Sequence, residues 1–116
     1  MLEDQSVEKI IHSINQRQIS IKEVMEYYLD RIEKFNPDLN AIVLLKDRGD
    51  LIKEAIYKDN STQSEKTLDG IPIAIKDLSD VVGIKTTYGY PGTKDYFPKK
   101  NSLFVERLIK SGAIII

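Results

Sequence analysis

The chain of 116 residues carries 17 Lys and Arg against 18 Asp and Glu, and a net charge of -1 gives no electrostatic footing for nucleic-acid binding. Its 41% hydrophobic and 30% charged composition is that of one ordinary globular domain, which excludes disordered, collagen-like and membrane classes. With no cysteine, disulfides, thiolate metal sites and a cysteine nucleophile are excluded as well.

The start, Met1-Leu2-Glu3-Asp4-Gln5, has no basic segment leading into an apolar stretch. The longest apolar runs, at 41–45, 71–75 and 113–116, fall far short of the ~20 residues that cross a bilayer, so a cytoplasmic protein without membrane contact is expected. Val7, Ile10, Ile11 and Ile14 recur at helical spacing and predict a short leading helix within residues 1–19. His12 falls off that face, and a lone histidine without neighbouring ligands reads as a solvated side chain. Ser20 and Glu23 have the spacing of a capping box, with Ile19 and Val24 placed as a hydrophobic staple. Ile21, Val24, Met25, Tyr28, Ile32 and Phe35 then form the core stripe of a second helix, which Asn36-Pro37 is expected to stop because proline disfavours a helical residue before it.

The run at 39–45, centred on Ile42 and Val43, is short enough to predict a strand. Leu51, Ile52, Ala55 and Ile56 predict a further helix, capped by Asp47 or Asp50, and the polar stretch at 58–67 an exposed loop open to proteolysis. After Asp69-Gly70, residues 71–75 predict a strand buried on both faces, with Pro72 confined to its first residues or to an edge. A stretch punctuated by Gly83, Gly89 and Gly92 follows. Asn101-Ser102 then opens a helix with apolar contacts from Leu103, Val105, Leu108 and Ile109, Gly112 is placed as its C-terminal cap, and residues 113–116 begin another strand. Strand, connection, helix and strand in that order predict a right-handed crossover in an α/β sheet. No segment recurs at a fixed period. The apolar run Ile114-Ile115-Ile116 reads as an uncovered edge strand, which is expected to mark a truncation and to offer a surface for association.

Lys76 sits where the run at 71–75 ends. Strand ends are where solvated charge normally returns, yet active sites of α/β sheets also gather at the carboxyl ends of strands, where a desolvated lysine can accept a proton. Position alone leaves both readings open.

The wider wording is more specific. Leu68-Asp69-Gly70-Ile71-Pro72-Ile73-Ala74-Ile75-Lys76-Asp77, followed by Gly83-Ile84-Lys85-Thr86-Thr87-Tyr88-Gly89, resembles the amidase-signature family's segment of glycine, isoleucine-proline, an apolar run, lysine-aspartate, and later a glycine with paired threonines. The similarity continues upstream through Arg31-Ile32-Glu33-Lys34-Phe35-Asn36-Pro37 and Leu39-Asn40-Ala41, and downstream through Val105-Glu106-Arg107-Leu108 and Ser111-Gly112-Ala113-Ile114. It implies an α/β fold: amino-terminal helices plus part of a mixed β-sheet with crossover helices, an incomplete amidase-signature fold in which residues 20–116 are the amino-terminal segment of a truncated domain.

In function the resemblance implies hydrolysis of carbon-nitrogen amide bonds by a serine nucleophile, assisted by a second serine and a lysine, with Lys76 at the position of the lysine. A neutral amine there would draw a proton through the bridging serine and later help return it to the departing amine, while glycine-rich backbone supplies N–H groups to the oxyanion. No metal or organic cofactor is implied, and the substrate would be a small-molecule amide of the full-length parent. Ser79, Ser102 and Ser111 do not match the family's serines, so no nucleophile is assigned and the isolated chain is expected to be inert. Asp77, as a turn aspartate bonding local N–H groups, and Thr86 and Thr87 are the supporting candidates. The A subunit of a tRNA-dependent amidotransferase, which releases ammonia from glutamine with the same machinery, is an equal reading of the segment. A non-catalytic module that binds a partner or a small amide, with its exposed strand at 114–116 as a pairing edge, is the alternative from another class. Gly89-Tyr90-Pro91-Gly92 lacks the spacing and helix start that would cradle a phosphate.

Overall fold

The computed structural model describes residues 2–61 and 66–116; the middle of the expected polar loop, residues 62–65, lies outside the described residues. The first helix, α1 (Val7–Asn15), is capped by Ser6, whose hydroxyl accepts from the Lys9 N–H at 3.4 Å. Ile10 is buried and Ile11 and Ile14 half-buried, whereas Val7 stays 46% exposed. With Leu2, this face packs on Val24 and Ile71, so the leading helix shares a core with the rest of the chain. His12 is exposed, as its place off the face predicts.

Helix α2 (Ile21–Leu39) opens on the expected capping box: the Ser20 hydroxyl accepts from the Glu23 N–H at 3.1 Å, and Glu23 accepts from the Ser20 N–H at 2.8 Å. A second carboxylate reaches the same helix start from far along the chain. Asp59 accepts from the N–H groups of Ile21 at 2.7 Å and Lys22 at 3.0 Å, satisfying donors that have no partner inside the helix. Val24 and Ile19 share the staple's cluster. Leu29, outside the expected stripe, is fully buried, while Phe35 is exposed with the Arg31 guanidinium 5.2 Å from its ring centre.

The helix runs through Pro37 to Leu39 rather than stopping at Asn36. It ends at Asn40, in the left-handed conformation with φ 47°, whose N–H bonds the Asn36 carbonyl at 2.7 Å. Residues 40–47 do not form the expected strand, and the Asn36 side chain supplies the reason. Its Nδ2 donates to the Ile42 carbonyl and its Oδ1 accepts from the Ile42 N–H, both at 2.8 Å, which takes up the backbone groups at the centre of the run. Ile42 packs against the main core, whereas Val43 is 59% exposed.

Helix α3 (Arg48–Asn60) is capped by Asp47, which accepts from the Asp50 N–H at 3.0 Å. It continues through Lys58 and Asp59, residues expected in the loop, since Asp59 is held at the start of α2 and Lys58 pairs with Asp69 at 3.1 Å. Leu51 and Ala55 pack against Ile21, Met25 and Leu29 of α2. Full burial of a side chain such as Leu51, Met25 or Leu29 contributes roughly 1.5–3 kcal/mol, whereas the Arg48 pairs to Asp30 and Glu33 lie in solvent, where screening leaves them little weight.

Strand β1 (Pro72–Ile73) pairs in parallel with β2 (Ile114–Ile115) in the register Pro72 to Ile114 and Ile73 to Ile115. The bridging bonds run from Ile114 N–H to the Ile71 carbonyl at 2.9 Å and from Ile116 N–H to the Ile73 carbonyl at 3.1 Å. The ladder thus uses the carbonyls on either side of Pro72, at the first position of β1, and does not need the N–H that proline lacks. The run at 71–75 is not buried on both faces: Ile71 is buried, Pro72 and Ile73 are half-buried, and Ala74 is exposed. The strand buried on both faces is β2. Ile114 and Ile116 pack with α2 and α3, while Ile115 packs with Val81 and Val105. The side chains at 114–116 are therefore covered, contrary to the bare apolar run expected of them, while among the described residues β2 pairs only with β1 and keeps its other edge unpaired.

Helix α4 (Leu103–Lys110) is capped by the Ser102 hydroxyl and lies between the two strands in sequence. Val105 is buried and Leu108 half-buried, but Leu103 and Ile109 face solvent at 63% and 43% exposure. At its end Gly112, with φ 97°, donates to the Ile109 carbonyl and Ala113 to the Leu108 carbonyl, a Schellman turn that leads directly into β2. Among the described residues, no helix is long and apolar enough to cross a membrane.

Candidate active site

Three apolar clusters fix the strand pair, and the chain leaving β1 emerges beside a cavity of about 420 Å³. Ile42, Ile75, Val81, Ile84 and Ile115 give it apolar walls, and Lys76, Asp77, Ser79, Thr86 and Tyr88 bring polar groups to the same space. Lys76 lies three residues past β1, on a turn that its own carbonyl closes by accepting from Leu78 N–H at 2.6 Å and Ser79 N–H at 3.1 Å. Its side chain is exposed, and its ammonium has no ion-pair or hydrogen-bond partner among the described residues.

Asp77 joins this turn to the loop ten residues on. Its Oδ1 accepts from the Thr87 N–H at 2.7 Å and its Oδ2 from the Thr87 hydroxyl, whose oxygen in turn accepts from Gly89 N–H at 3.2 Å. Thr86 is buried at 2% exposure; its N–H bonds the Tyr96 carbonyl at 3.1 Å and its hydroxyl leans on the Ser79 carbonyl at 3.5 Å. All four residues singled out by sequence, Lys76, Asp77, Thr86 and Thr87, thus belong to one construction: a lysine-bearing turn and the loop that braces it.

Beside them is a group that sequence reasoning missed. Asp80 accepts from the Tyr88 hydroxyl through Oδ1 and from the Tyr96 hydroxyl through Oδ2 at 3.2 Å. The two rings stack with centroids 6.3 Å apart and planes inclined by 23°. The hydrogen bond to Asp80 is the main reason the Tyr88 hydroxyl is pushed up to about 12, since ionising it would place a second negative charge against the carboxylate. Tyr96 is raised as well, first by burial and then by Asp80. The one sequence cue was Tyr88-Gly89, where both residues take positive φ, at 55° and 67°.

The serines divide. Ser102 caps α4 and the Ser111 hydroxyl donates to the Arg107 carbonyl at 2.9 Å, so both have structural duties. Ser79 lines the cavity with Lys76 but forms no side-chain bond to it.

A parallel strand pair followed by a lysine at a cavity, backed by helices, is a piece of an α/β fold. The Amidase family profile matches residues 23–116, and the chain belongs to that family. It is 32% identical over 117 aligned residues to the A subunit of Glutamyl-tRNA(Gln) amidotransferase from Alkaliphilus metalliredigens, covering 99% of this chain and 24% of the relative. It is 34% identical to mandelamide hydrolase of Pseudomonas putida, over 89% of this chain and 20% of that enzyme. In structure it resembles the peptide amidase of Stenotrophomonas maltophilia, with a TM-score of 0.88 and 23% identity over 99% of this chain and 24% of that one. A bacterial aryl acylamidase of the amidase-signature family gives a TM-score of 0.84 at 24% identity, over 96% of this chain and 24% of that one. The chain spans about a quarter of the length of the first of these relatives.

Proposed function

We propose that these residues supply the lysine and its bracing to an amide hydrolase that works through two serines and a lysine, with Lys76 as the acid-base group. The observation that carries the reading is the placing of Lys76 at the cavity on a turn locked through Asp77 to Thr87, inside the segment that matches the family. A lysine that shuttles protons must return to one geometry in each cycle, and a turn tied at two points provides it. Asp77, Thr86 and Thr87 act on the reaction only by holding that turn.

The lysine is exposed here, so these residues alone do not build the dry surroundings in which such a group works. With the chain covering about a quarter of its relatives, the serines and the rest of the pocket would come from a longer amidase-signature protein, and the 116 residues alone would not turn over an amide.

The test is a chimera in which this chain replaces the matching segment of mandelamide hydrolase. It should hydrolyse its amide, the Lys76→Ala chimera should fall to background, and the isolated chain should be inactive. Turnover by the isolated chain that disappears with Lys76→Ala would overturn the inert part of the reading, and an active Lys76→Ala chimera would overturn the role of the lysine. The similarity to an amidotransferase component favours a second reading, glutamine as the amide. Ammonia release from glutamine by a chimera built on that relative, dependent on Lys76, distinguishes it.

A further inference from the structure

We propose that Tyr88 sets specificity in the Lys76 cavity, its ring being the surface on which a planar aromatic group of the substrate amide stacks. This rests on the amide-hydrolase reading and narrows it to amides whose carboxamide stands close to an aromatic ring. Tyr88 lines the same cavity as Lys76, and 43% of it is exposed. Its hydroxyl is engaged by Asp80, so Tyr88 brings no free hydroxyl to that space.

The ring is held from three sides. Asp80 fixes its hydroxyl end, Tyr96 stacks on it at 6.3 Å and is itself held by Asp80, and the backbone sits at φ 55°. A tyrosine in that conformation is strained where glycine would not be, and strain of this kind persists only where the surroundings over-determine it. Tyr96, the ring stacked on Tyr88, is not among the residues that line the cavity. The other walls include Ile75, Ile84 and Ile115, which suit a flat apolar group and offer it no hydrogen bond. A ring already immobilised loses little rotational freedom when a ligand stacks on it, which is how preorganised sites gain affinity. A volume of about 420 Å³ is ample for a single aryl group with its carboxamide.

The experiment is an NMR titration of this chain with phenylacetamide and with its saturated counterpart, cyclohexylacetamide. Because the two differ chiefly in the aromatic ring, stacking should make phenylacetamide bind roughly two- to tenfold tighter and shift the Tyr88 ring resonances upfield. Tyr88→Gly suits the positive φ and removes the ring, so it should still melt cooperatively and lose the preference; Tyr88→Leu keeps apolar bulk and should lose it too. Equal affinities in the parent chain, a preference that survives both variants, or no binding of either amide would overturn the assignment. Binding is read without turnover, so the outcomes separate. An active Lys76→Ala chimera sinks the amide-hydrolase reading, whereas equal affinities in the parent chain, or a preference that survives both Tyr88 variants, with Lys76-dependent turnover intact, sinks only the role given to Tyr88.

Discussion

Replacing Asp77 by alanine tests whether the lysine-bearing turn is braced as its geometry implies. The substitution removes two bonds to a carboxylate, from the Thr87 N–H at 2.7 Å and from the Thr87 hydroxyl. Hydrogen bonds to charged groups are worth about 1.5–3 kcal/mol each, but Asp77 is half-buried and water replaces part of what is lost, so about 2 kcal/mol of local stability should go. At 1.4 kcal/mol for each factor of ten, that is about a 30-fold rise in local opening. Native-state hydrogen exchange reads it directly. The amides of Thr87 and Gly89, and of Leu78 and Ser79 that close the turn on the Lys76 carbonyl, should all exchange faster, while those of Met25 and Leu29 in α2 should not change. Asp77→Asn keeps one acceptor for the Thr87 N–H and should recover about half of the effect in energy terms. If Leu78 and Ser79 in Asp77→Ala exchange within about threefold of the parent chain, the turn does not depend on this brace and Asp77 is only a local cap.

Gly112→Ala should destabilise the chain by about 3 kcal/mol in urea melts, because the left-handed backbone costs ~1–2 kcal/mol and a Cβ there would lie 2.7 Å from the Asp69 Cα. Gly89→Ala, also at positive φ but with nothing within 4 Å, should show only the backbone part, and equal losses would refute the steric argument. Tyr88 is raised from 10 to about 12, so its contribution to stability is fully present below pH 10 and disappears as pH rises through about 12. Tyrosinate absorbance should therefore show a late-titrating fraction, which Asp80→Asn moves to lower pH; an unchanged curve would exclude the Asp80 contact. Glu23 is lowered by its bonds to the Ser20 N–H and hydroxyl, so its contribution is present above pH 4.5 and is lost as pH falls through the folded value. Ser20→Ala should flatten that acid dependence of the melt, and identical slopes would contradict the capping-box assignment.

What could be read from sequence was what depends on near neighbours. The caps at Ser20, Asp47 and Ser102 and the Schellman turn at Gly112 are local in the chain, and the structure has each of them where the spacing puts it. The apolar runs that pair as β1 and β2 were legible for the same reason. The run at 39–45 misled because the group that satisfies Ile42 is the side chain of Asn36, and a side chain that imitates a neighbouring strand leaves no periodicity to detect. Pro37 misled because the cap at Asn40 and the bond back to Asn36 hold the last turn in place of the bond that proline cannot make. In the site, Lys76, Asp77 and the threonines could be found by their wording. Asp80, Tyr88 and Tyr96 could not, since they meet only because the loop turns through positive φ at Tyr88 and Gly89.

The close approaches of two glycines explain why the lysine is where it is. A Cβ on Gly70 would strike the Ile21 side chain at 2.5 Å, and one on Gly112 would strike Asp69, so the residues just before β1 are wedged between the start of α2 and the end of α4. Gly70 also donates to the Gly112 carbonyl at 3.0 Å and Leu68 to the Ser111 carbonyl at 2.8 Å, which extends the contact of the two strands backward before the ladder begins. The register of β1 on β2 is thereby set upstream, and with it the point at which Lys76 leaves the sheet. Downstream, Asp77 and Thr87 set the path that follows. The lysine is therefore positioned from both sides by groups that never touch it, although its own side chain is exposed. The backbone that carries the amine is thereby tied on both sides of Lys76, by the strand register before it and by the Asp77 to Thr87 bonds after it.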